Sequence, residues 1–411
     1  MLARRLAARW VIPVDSAPIE HGALLIGADG RIVAVGPDSA VPRPPDVPAV
    51  RFDDAVILPG LINTHTHLEL TGFAAQVPER EFAAWIRRLR ELKTTRTAAD
   101  YVAAARRGLA ECYAAGVTTV ADTGDSGAVI RVLAEAGGSG LAYQEVFGPH
   151  PAQWEESLGS LRERVQELGS FATGRVRIGV SPHAPYTVSG PLFNAVAVWA
   201  RAEGLPLAVH VAESRAETQF LLAGSGPFAA AWLARGIPLP RSAGFTPVSW
   251  LADHGVLSER CLCIHAVQID PADIRQLAES GAAVAHCPLS NLAHGHGVAP
   301  LAALLEAGVR VGLGTDSEVS VGRPDLLAEA RAAGTQAGLN AEDLIELCTL
   351  GGARAIGLDG ETGSLQPGKW ADCTVIRVPL GNNGPAELVL HSSPHDVLGT
   401  YVGGREIFRA L

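Results

Sequence analysis

Residues 56–67 read VILPGLINTHTH, an apolar run that ends in two histidines, His65 and His67, placed two positions apart. An apolar run bounded by turn-forming residues predicts a buried β-strand. Side chains two positions apart on a strand point the same way, so both imidazoles can reach one metal ion. Within this segment LINTH (61–65) is therefore predicted as the first barrel strand, with the pair of metal ligands at its carboxyl end.

Seven more apolar runs follow, and alanine-rich, amphipathic-looking stretches separate them. They are VTTVAD (117–122), GLAYQEVF (140–147), VRIGVSPH (176–183), PLAVHVAE (206–213), CLCIHAV (261–267), AAVAHC (282–287) and VRVGLGTD (309–316). Eight strand and helix alternations in about 300 residues predict a (β/α)8 barrel with its active site at the carboxyl ends of the strands. An open doubly wound sheet is the alternative, but no G-x-G-x-x-G follows an early strand. The long segment from Glu213 to Arg260 predicts extra helix or lid structure near the site.

Polar residues that bind metals stand at the ends of six of these predicted strands. They are His65, His67, His183, His210, His265, His286 and Asp316. One histidine in an apolar strand is usually a core residue, but seven such side chains at one rim indicate a metal site. The predicted ligands are His65, His67, His210 and Asp316. Three nitrogens and one anionic oxygen leave room for a water whose pKa the cation would lower towards ~7.

A single divalent ion is expected at this rim. The chain has only two lysines, Lys93 and Lys369, so none is available at the end of the fourth strand to bridge a second ion. His183 is then free to bind substrate, with a structural role as the alternative, and His265 is free to hydrogen-bond the attacking hydroxide.

Glu213 follows His210 by three positions in HVAES. A carboxylate beside a metal ligand can take a proton from the attacking water and deliver it to a leaving group. The alternative is an acidic residue at a helix N-terminus, because Glu213 begins a connecting segment. We favour the catalytic interpretation, with Glu213, His265 and Asp316 as the catalytic residues.

The two ends of the chain differ from its middle and resemble each other, because both consist of short β-like runs between glycine and proline turns. Because chain termini often lie close together, residues 1–58 and 364–411 are predicted to form one small β-sandwich domain. The barrel then occupies residues 59–363.

Composition narrows the range of partners. The 411 residues carry a net charge of −10 and no Lys/Arg cluster, which disfavours nucleic acid and points to a small-molecule substrate. The amino-terminal residues lack the apolar run of a signal peptide, and no apolar stretch is long enough for a membrane helix. We therefore expect a cytoplasmic protein with no membrane association. Cys261 and Cys263 share a strand face, but their spacing is not that of a zinc pair.

Six motifs together resemble the amidohydrolase superfamily, in its cytosine deaminase and chlorohydrolase-like branch. They are LPGLINTHTHLEL, GVSPHAPYTVS, HVAES, CIHAVQ, AHCPLSN and GLGTDS, and the resemblance covers essentially the whole chain. It implies a barrel with a terminal β-sandwich, metal ligands at His65, His67, His210 and Asp316, a proton shuttle at Glu213 and a substrate-facing His183. It also implies one zinc ion, with iron as an alternative, and a possible homodimer.

Within that branch, HTHLEL, FAAWIRRLRELK and SPHAPYTVS look closest to aminodeoxyfutalosine deaminases of menaquinone synthesis, with S-adenosylhomocysteine/adenosine deaminases next. This resemblance implies release of ammonia from a 6-aminopurine nucleoside. Glu69, Trp85 and Glu145 are candidate substrate-binding residues by position, and packing or solvated roles are equally open for them. Two other interpretations stay open: a hydrolase of another cyclic amidine, cyclic amide or triazine, and an inactive barrel scaffold.

Overall fold

The computed structural model describes residues 3–79, 81–240, 244–381 and 383–410. Its strands are β1 (Arg4–Val11), β2 (Ile19–Ile26), β3 (Ile32–Pro37), β4 (Ala49–Pro59), β5 (Leu61–Thr66), β6 (Val117–Gly124), β7 (Gly140–Val146), β8 (Val176–Pro182), β9 (Leu207–Val211), β10 (Cys261–His265), β11 (Ala283–His286), β12 (Arg310–Leu313), β13 (Cys373–Arg377), β14 (Val397–Val402) and β15 (Arg405–Arg409). They form one sheet of seven strands and one of eight.

The eight strands β5 to β12 form a parallel sheet in sequence order. The first and last strands meet at their carboxyl ends, where Thr66 forms a bridge with Asp316. The backbone N–H groups of Thr315 and Asp316 donate to the carbonyl oxygen of His65 at 3.1 and 3.0 Å. The sheet thus closes on itself, and the predicted (β/α)8 architecture is confirmed.

Alternation along the strands separates the barrel interior from the helix-facing surface. Ile62, Leu262 and Ala285 belong to an interior cluster of small and branched side chains. Val284, between two interior alanines of β11, instead packs with the surrounding helices. His286 continues the alternation of Val284, so it faces the helix layer and lies outside the group of polar side chains at the rim.

Sixteen α-helices surround the barrel or lie at its ends. They are α1 (Phe82–Lys93), α2 (Ala98–Ala114), α3 (Ala128–Ala136), α4 (Trp154–Leu168), α5 (Gly190–Glu203), α6 (Arg215–Ala223), α7 (Gly226–Leu233), α8 (Pro247–Asp253), α9 (Pro271–Ser280), α10 (Pro288–Ala293), α11 (Leu301–Glu306), α12 (Glu318–Val321), α13 (Leu326–Ala337), α14 (Ala341–Leu347), α15 (Leu350–Ala355) and α16 (Pro385–Leu390), counted over the described residues. The segment between β9 and β10 holds three of them, α6 to α8, as its length predicts.

Both ends of the chain build the second sheet, in the order β15-β14-β13-β4-β1-β2-β3. Strand β4 lies between the two halves, parallel to β1 and antiparallel to β13, with Ile57 opposite Val375. The C-terminal segment also contains α16, which a purely β-type reading of its sequence does not anticipate. Within the ranges described above, no helix is both long enough and apolar enough to span a bilayer.

Candidate metal and catalytic site

The four predicted metal ligands converge at the carboxyl end of the barrel. The ring of His65 lies 4.8 Å from that of His67 and 4.9 Å from that of His210, centroid to centroid. The rings of His67 and His210 stack at 5.3 Å. Nε2 of His65 and Nε2 of His67 each lie 3.5 Å from Oδ1 of Asp316. The geometry therefore brings three imidazoles and one carboxylate around a common point.

Two serine hydroxyls orient Asp316. Ser290 and Ser320 donate to its Oδ2 at 2.6 and 3.0 Å, which leaves Oδ1 facing the histidines. Burial alone would raise the pKa of Asp316, but His65 and His67 lower it well below its usual range. Asp316 is thus a buried carboxylate held in its ionised form.

The imidazoles beside it are neutral. Burial lowers the pKa of His65 to about 4 and that of His210 well below its usual range. Nδ1 of His67 lies 2.8 Å from the carbonyl oxygen of Thr123, and Nδ1 of His210 lies 3.2 Å from that of His183. Because a carbonyl accepts only from N–H, each Nε2 carries the lone pair that a metal ion requires.

His65 provides the test of whether this site fits a metal. The residue is fully buried, and neither ring nitrogen has a hydrogen-bond partner among the described residues. An unpaired buried polar atom is costly, and a divalent cation at Nε2 would remove that cost for one of the two nitrogens. Three neutral nitrogens and one ionised oxygen match the ligands that zinc prefers. The side chains present therefore fit a divalent ion.

Glu213 lies beside this cluster and is almost fully buried. Its Oε1 is 3.6 Å from Nε2 of His265 and 3.4 Å from Nε2 of His296, and the Tyr186 hydroxyl donates to its Oε2 at 3.5 Å. Burial would raise the pKa of Glu213, but His265 and His296 lower it to about 2. The carboxylate is ionised and can accept a proton.

Strained backbone marks the turns that present these groups. Ala212, His265, Ala266 and Asp316 have φ angles of 52°, 74°, 47° and 56°, a region that non-glycine residues seldom occupy. In β10 the cysteines at 261 and 263 face the helices, so regular alternation would turn His265 outward as well. The positive φ of His265 reverses that direction. Such strain is characteristic of functional sites.

On the far side of His210 lies a second polar group. Ligand atoms of Glu145, His183 and His210 all lie within 4.8 Å of one another. Burial raises the pKa of Glu145 to about 8. Lys93 lies near Glu145, and its Nζ is 3.3 Å from Oε1 of Glu69 and 2.6 Å from Oδ1 of Asp125. His183 and Glu145 thus lie beside His210, and their contacts with substrate stay predictions.

Glu69 and Trp85 each have well-defined partners near the rim. The carboxylate of Glu69 is only 1% exposed, and it accepts from the backbone N–H groups of Asp125 and Ser126 in addition to its pair with Lys93. Trp85, on α1, packs against Phe82 and against the ring of His294, 4.8 Å away. Their predicted contacts with substrate stay predictions.

A family model for the amidohydrolase family matches residues 56–407. The chain belongs to the amidohydrolase family. It is therefore a metal-dependent hydrolytic enzyme that acts on C–N bonds.

Relatives of this amidohydrolase cover nearly its whole length. It is 30% identical over 407 residues to a 5-methylthioadenosine/S-adenosylhomocysteine deaminase of Symbiobacterium thermophilum, an alignment that covers 95% of this chain and 89% of the relative. A zinc-bound adenosine deaminase from Xanthomonas campestris superposes with a TM-score of 0.86 and 25% identity, covering 98% and 92% of the two chains. The Helicobacter pylori aminofutalosine deaminase shares the fold, with a TM-score of 0.84, 21% identity and coverage of 99% and 100%.

Several residues at the site of this amidohydrolase have roles that its sequence alone does not predict. Ser290 and Asn291 lie within the quoted motif AHCPLSN, so their proximity to a metal ligand could have been noticed. His296 comes from the loop after α10, and its Nε2 lies 3.4 Å from Oε1 of Glu213, which places it at the site. Lys93 lies on a helix before the second barrel strand, and no local pattern connects it to the rim.

Proposed function

We propose that this amidohydrolase is a zinc-dependent deaminase that releases ammonia from the 6-amino group of an adenosine nucleoside modified at its 5′ carbon. The observation that carries the proposal is the position of Glu213, an ionised, buried carboxylate beside the cluster of metal ligands. The names of its relatives, which are deaminases of adenosine and its derivatives, support the same substrate class.

His65, His67, His210 and Asp316 would hold the ion. A zinc ion bound by such ligands lowers the pKa of a coordinated water and so supplies the nucleophile for hydrolysis. All four side chains are already in the protonation states that binding requires, so no proton has to leave them.

Proton transfers fall to Glu213. It accepts a proton from the attacking water, delivers that proton to the adjacent ring nitrogen of the purine, and then assists the departure of ammonia. His265 faces Glu213 through Nε2, while its Nδ1 lies 3.0 Å from the amide oxygen of Asn291. The bond to Asn291 places the N–H at Nδ1, so Nε2 can accept a hydrogen bond from the nucleophile. The reaction consumes one water and yields inosine-type product and ammonia.

The 5′ substituent distinguishes two candidate substrates. The motifs HTHLEL and SPHAPYTVS favour 6-aminodeoxyfutalosine, as in menaquinone synthesis, whereas the Symbiobacterium relative favours a thioether-bearing adenosine. Both compounds are adenosines altered at the 5′ position. The inactive scaffold interpretation loses support because the ligand set and Glu213 are all present.

We also propose one divalent ion per chain. The second group of possible ligands, Glu145, His183 and His210, shares His210 with the first. One imidazole nitrogen cannot bind two cations, and the Nδ1 of His210 faces a backbone carbonyl. Metal analysis after exhaustive dialysis should give one equivalent of zinc, and a reproducible two equivalents would contradict the proposal.

A substrate panel tests the proposed activity. The zinc-loaded protein is assayed for ammonia release from 5′-methylthioadenosine, S-adenosylhomocysteine, 6-aminodeoxyfutalosine, adenosine, cytosine, a pterin and an aminotriazine. We expect the adenosine derivatives to have the highest kcat/KM. Turnover of the triazine or of cytosine alone would reject the adenosine proposal in favour of another cyclic amidine.

A further inference from the structure

The polar group around Glu145 has no function in the proton transfers assigned above. Glu145 is the next-to-last residue of β7, the third barrel strand, and it is 7% exposed. In the described part of the chain its Oε1 has no hydrogen-bond partner. A buried carboxyl oxygen without a hydrogen-bond partner is costly, so its retention beside the active site indicates that a ligand supplies the partner.

A second metal ion does not account for it. Of the two other side chains within reach, His210 is already a predicted ligand of the catalytic ion, which leaves only His183 and Glu145 to hold a second one. Two ligands are fewer than the three or four protein side chains of a typical zinc site. The missing partner of Glu145 is therefore more consistent with a hydrogen-bonding group on an organic ligand. We call the region around Glu145, His183 and Lys93 the second subsite.

The neighbouring charges define the chemistry of that donor. Lys93 forms ion pairs with two carboxylates, those of Glu69 and Asp125, and Glu145 lies near it, so the region has more negative than positive charge. An anionic substituent would be repelled there. A neutral diol fits, because its hydroxyl hydrogens can be donated to Glu145 and its oxygens can accept from the ammonium group of Lys93.

The position of the subsite matches one end of an adenosine. His210 lies between His265 and His183, with ring centroids 5.6 Å and 4.7 Å away, respectively. A purine placed across His210 with its 6-amino carbon at Glu213 and His265 would extend towards His183 and Glu145. In a purine nucleoside the sugar is attached at N9, on the side of the ring system remote from the amino group.

We propose that Glu145 and Lys93 bind the 2′- and 3′-hydroxyls of the ribose, so that the enzyme selects ribonucleosides over 2′-deoxyribonucleosides and over free adenine. This inference rests on the proposed function and names the part of the substrate that the second polar group recognises. Lys93 is the last residue of α1, so the helix that carries Trp85 also contributes to the sugar subsite.

The test compares 5′-deoxyadenosine, 2′,5′-dideoxyadenosine and adenine as substrates. A buried site built to bind a hydroxyl discriminates strongly against a ligand that lacks it, so we expect wild-type kcat/KM to fall by about 100-fold or more without the 2′-hydroxyl. Glu145→Leu should lower kcat/KM for 5′-deoxyadenosine by a larger factor than for 2′,5′-dideoxyadenosine, which offers the subsite only its 3′-hydroxyl, so the ratio between the two substrates should fall. Lys93 retains two acidic partners in this variant, so the variant protein should fold and keep its zinc.

Glu318→Gln is the matched control, because Glu318 is another acidic residue near the rim and its carboxylate accepts from the backbone of Gly72 instead. The ratio between the two nucleosides should stay at the wild-type value in this variant. The sugar assignment would be overturned if the ratio of the two kcat/KM values were near one in wild type, or if Glu145→Leu left that ratio unchanged. Neither result would affect the deaminase proposal.

Binding separates the two proposals if no adenine nucleoside is turned over. Calorimetry with zinc-loaded protein would then compare inosine with 2′-deoxyinosine. A Kd about 10-fold or more lower for inosine, and a difference abolished by Glu145→Leu, would support the sugar subsite even though the proposed activity had failed. Equal Kd values would reject the subsite.

Discussion

The tautomers of the site histidines are fixed by the hydrogen-bond acceptors that their Nδ1 atoms face. Nδ1 of His67 and of His210 faces a backbone carbonyl, whereas Nδ1 of His265 faces the side-chain amide of Asn291. A backbone carbonyl cannot be removed by substitution, but an amide can. His265 is thus the one of these three whose orientation a single substitution can test.

Replacing Asn291 should affect turnover more than binding. Asn291→Ala removes the acceptor for Nδ1–H, so His265 can rotate or change tautomer beside Glu213. We expect kcat to fall by about 10–100-fold with little change in KM and with full zinc content, as measured by steady-state kinetics and metal analysis. Asn194→Ala, which alters an exposed helix, is the control. Loss of zinc together with kcat would indicate a structural role for Asn291 instead.

Single residues also show what sequence can and cannot predict here. His65, His67, His210 and Asp316 stand at the ends of apolar runs, where barrel topology alone brings them to one rim. Lys93 and His296 come from a helix and a loop, and their positions depend on tertiary packing that no local pattern encodes. Their contribution was therefore visible only in three dimensions.

The turn between β9 and α6 positions Glu213. Ala212 has a φ of 52°, and the buried carboxylate of Glu217 accepts from the backbone N–H groups of Ala212 and Glu213 at 2.9 and 3.0 Å. Burial raises the pKa of Glu217 to about 8, although these two N–H groups act to lower it. In the unfolded chain the same group titrates near its ordinary value of ~4.3.

This difference predicts a pH dependence of stability. Between pH ~4.5 and 8 the unfolded chain releases the proton of Glu217 while the folded chain keeps it, so the contribution to stability is complete at low pH and is lost as pH rises. Glu217→Gln cannot titrate, so its free energy of unfolding should improve relative to wild type by up to ~1.4 kcal/mol per pH unit. Urea denaturation of both zinc-saturated proteins at pH 5.5, 6.5 and 7.5 measures this difference in the free energy of unfolding.

The variant has a constant cost as well, because glutamine offers one acceptor oxygen where the carboxyl group offers two. Only the slope is therefore diagnostic. Parallel pH profiles for wild type and Glu217→Gln would contradict the raised pKa of Glu217.

Helices and strands differed in how well the sequence defined them. All eight barrel strands coincide with predicted apolar runs, because both faces of a parallel strand are buried and the whole run must be apolar. The helices of the long segment after β9 were expected only as extra structure, since alanine-rich sequence with frequent glycine and proline does not fix where each helix begins and ends.

The chain as a whole is held together by pairing between its two ends. Strand β13 pairs directly with β4, and the buried carboxylate of Asp372 accepts from Arg175 and from Thr362 of the barrel segment. The backbone N–H of Gly403 donates to the other oxygen of Asp372 at 2.7 Å. The terminal sheet is thus continuous from both ends and is bound to the barrel.

Removing residues 364–411 should therefore prevent folding of the remainder. The truncation would expose the apolar edge of β4 and leave the partly buried Arg175 without its carboxylate, and both losses destabilise the remainder. We expect an aggregated or largely unfolded product by circular dichroism. Removing only residues 405–411, which hold the edge strand β15, should leave a folded protein of lower stability. A well-folded 1–363 fragment would show that the two ends form independent units.

The short β-like runs at both ends were enough to predict that the two ends pair in one sheet. Short strands need neighbouring strands, and neither end contains enough strands to form a stable sheet alone. The strand order and the division at residues 58 and 363 depend on how the ends meet. The order is known only from the structure, and the division stays a prediction.

Glu213→Gln tests the account most directly. The change keeps the size of the side chain and removes its ability to carry a proton, and Glu213 is not among the predicted metal ligands. Zinc content and kcat are measured for both proteins with 5′-methylthioadenosine, following conversion of the amino to the oxo purine by absorbance. The account predicts one zinc per chain in each and a kcat lower by at least ~10²–10⁴ in the variant. Near wild-type kcat at full zinc occupancy would contradict it.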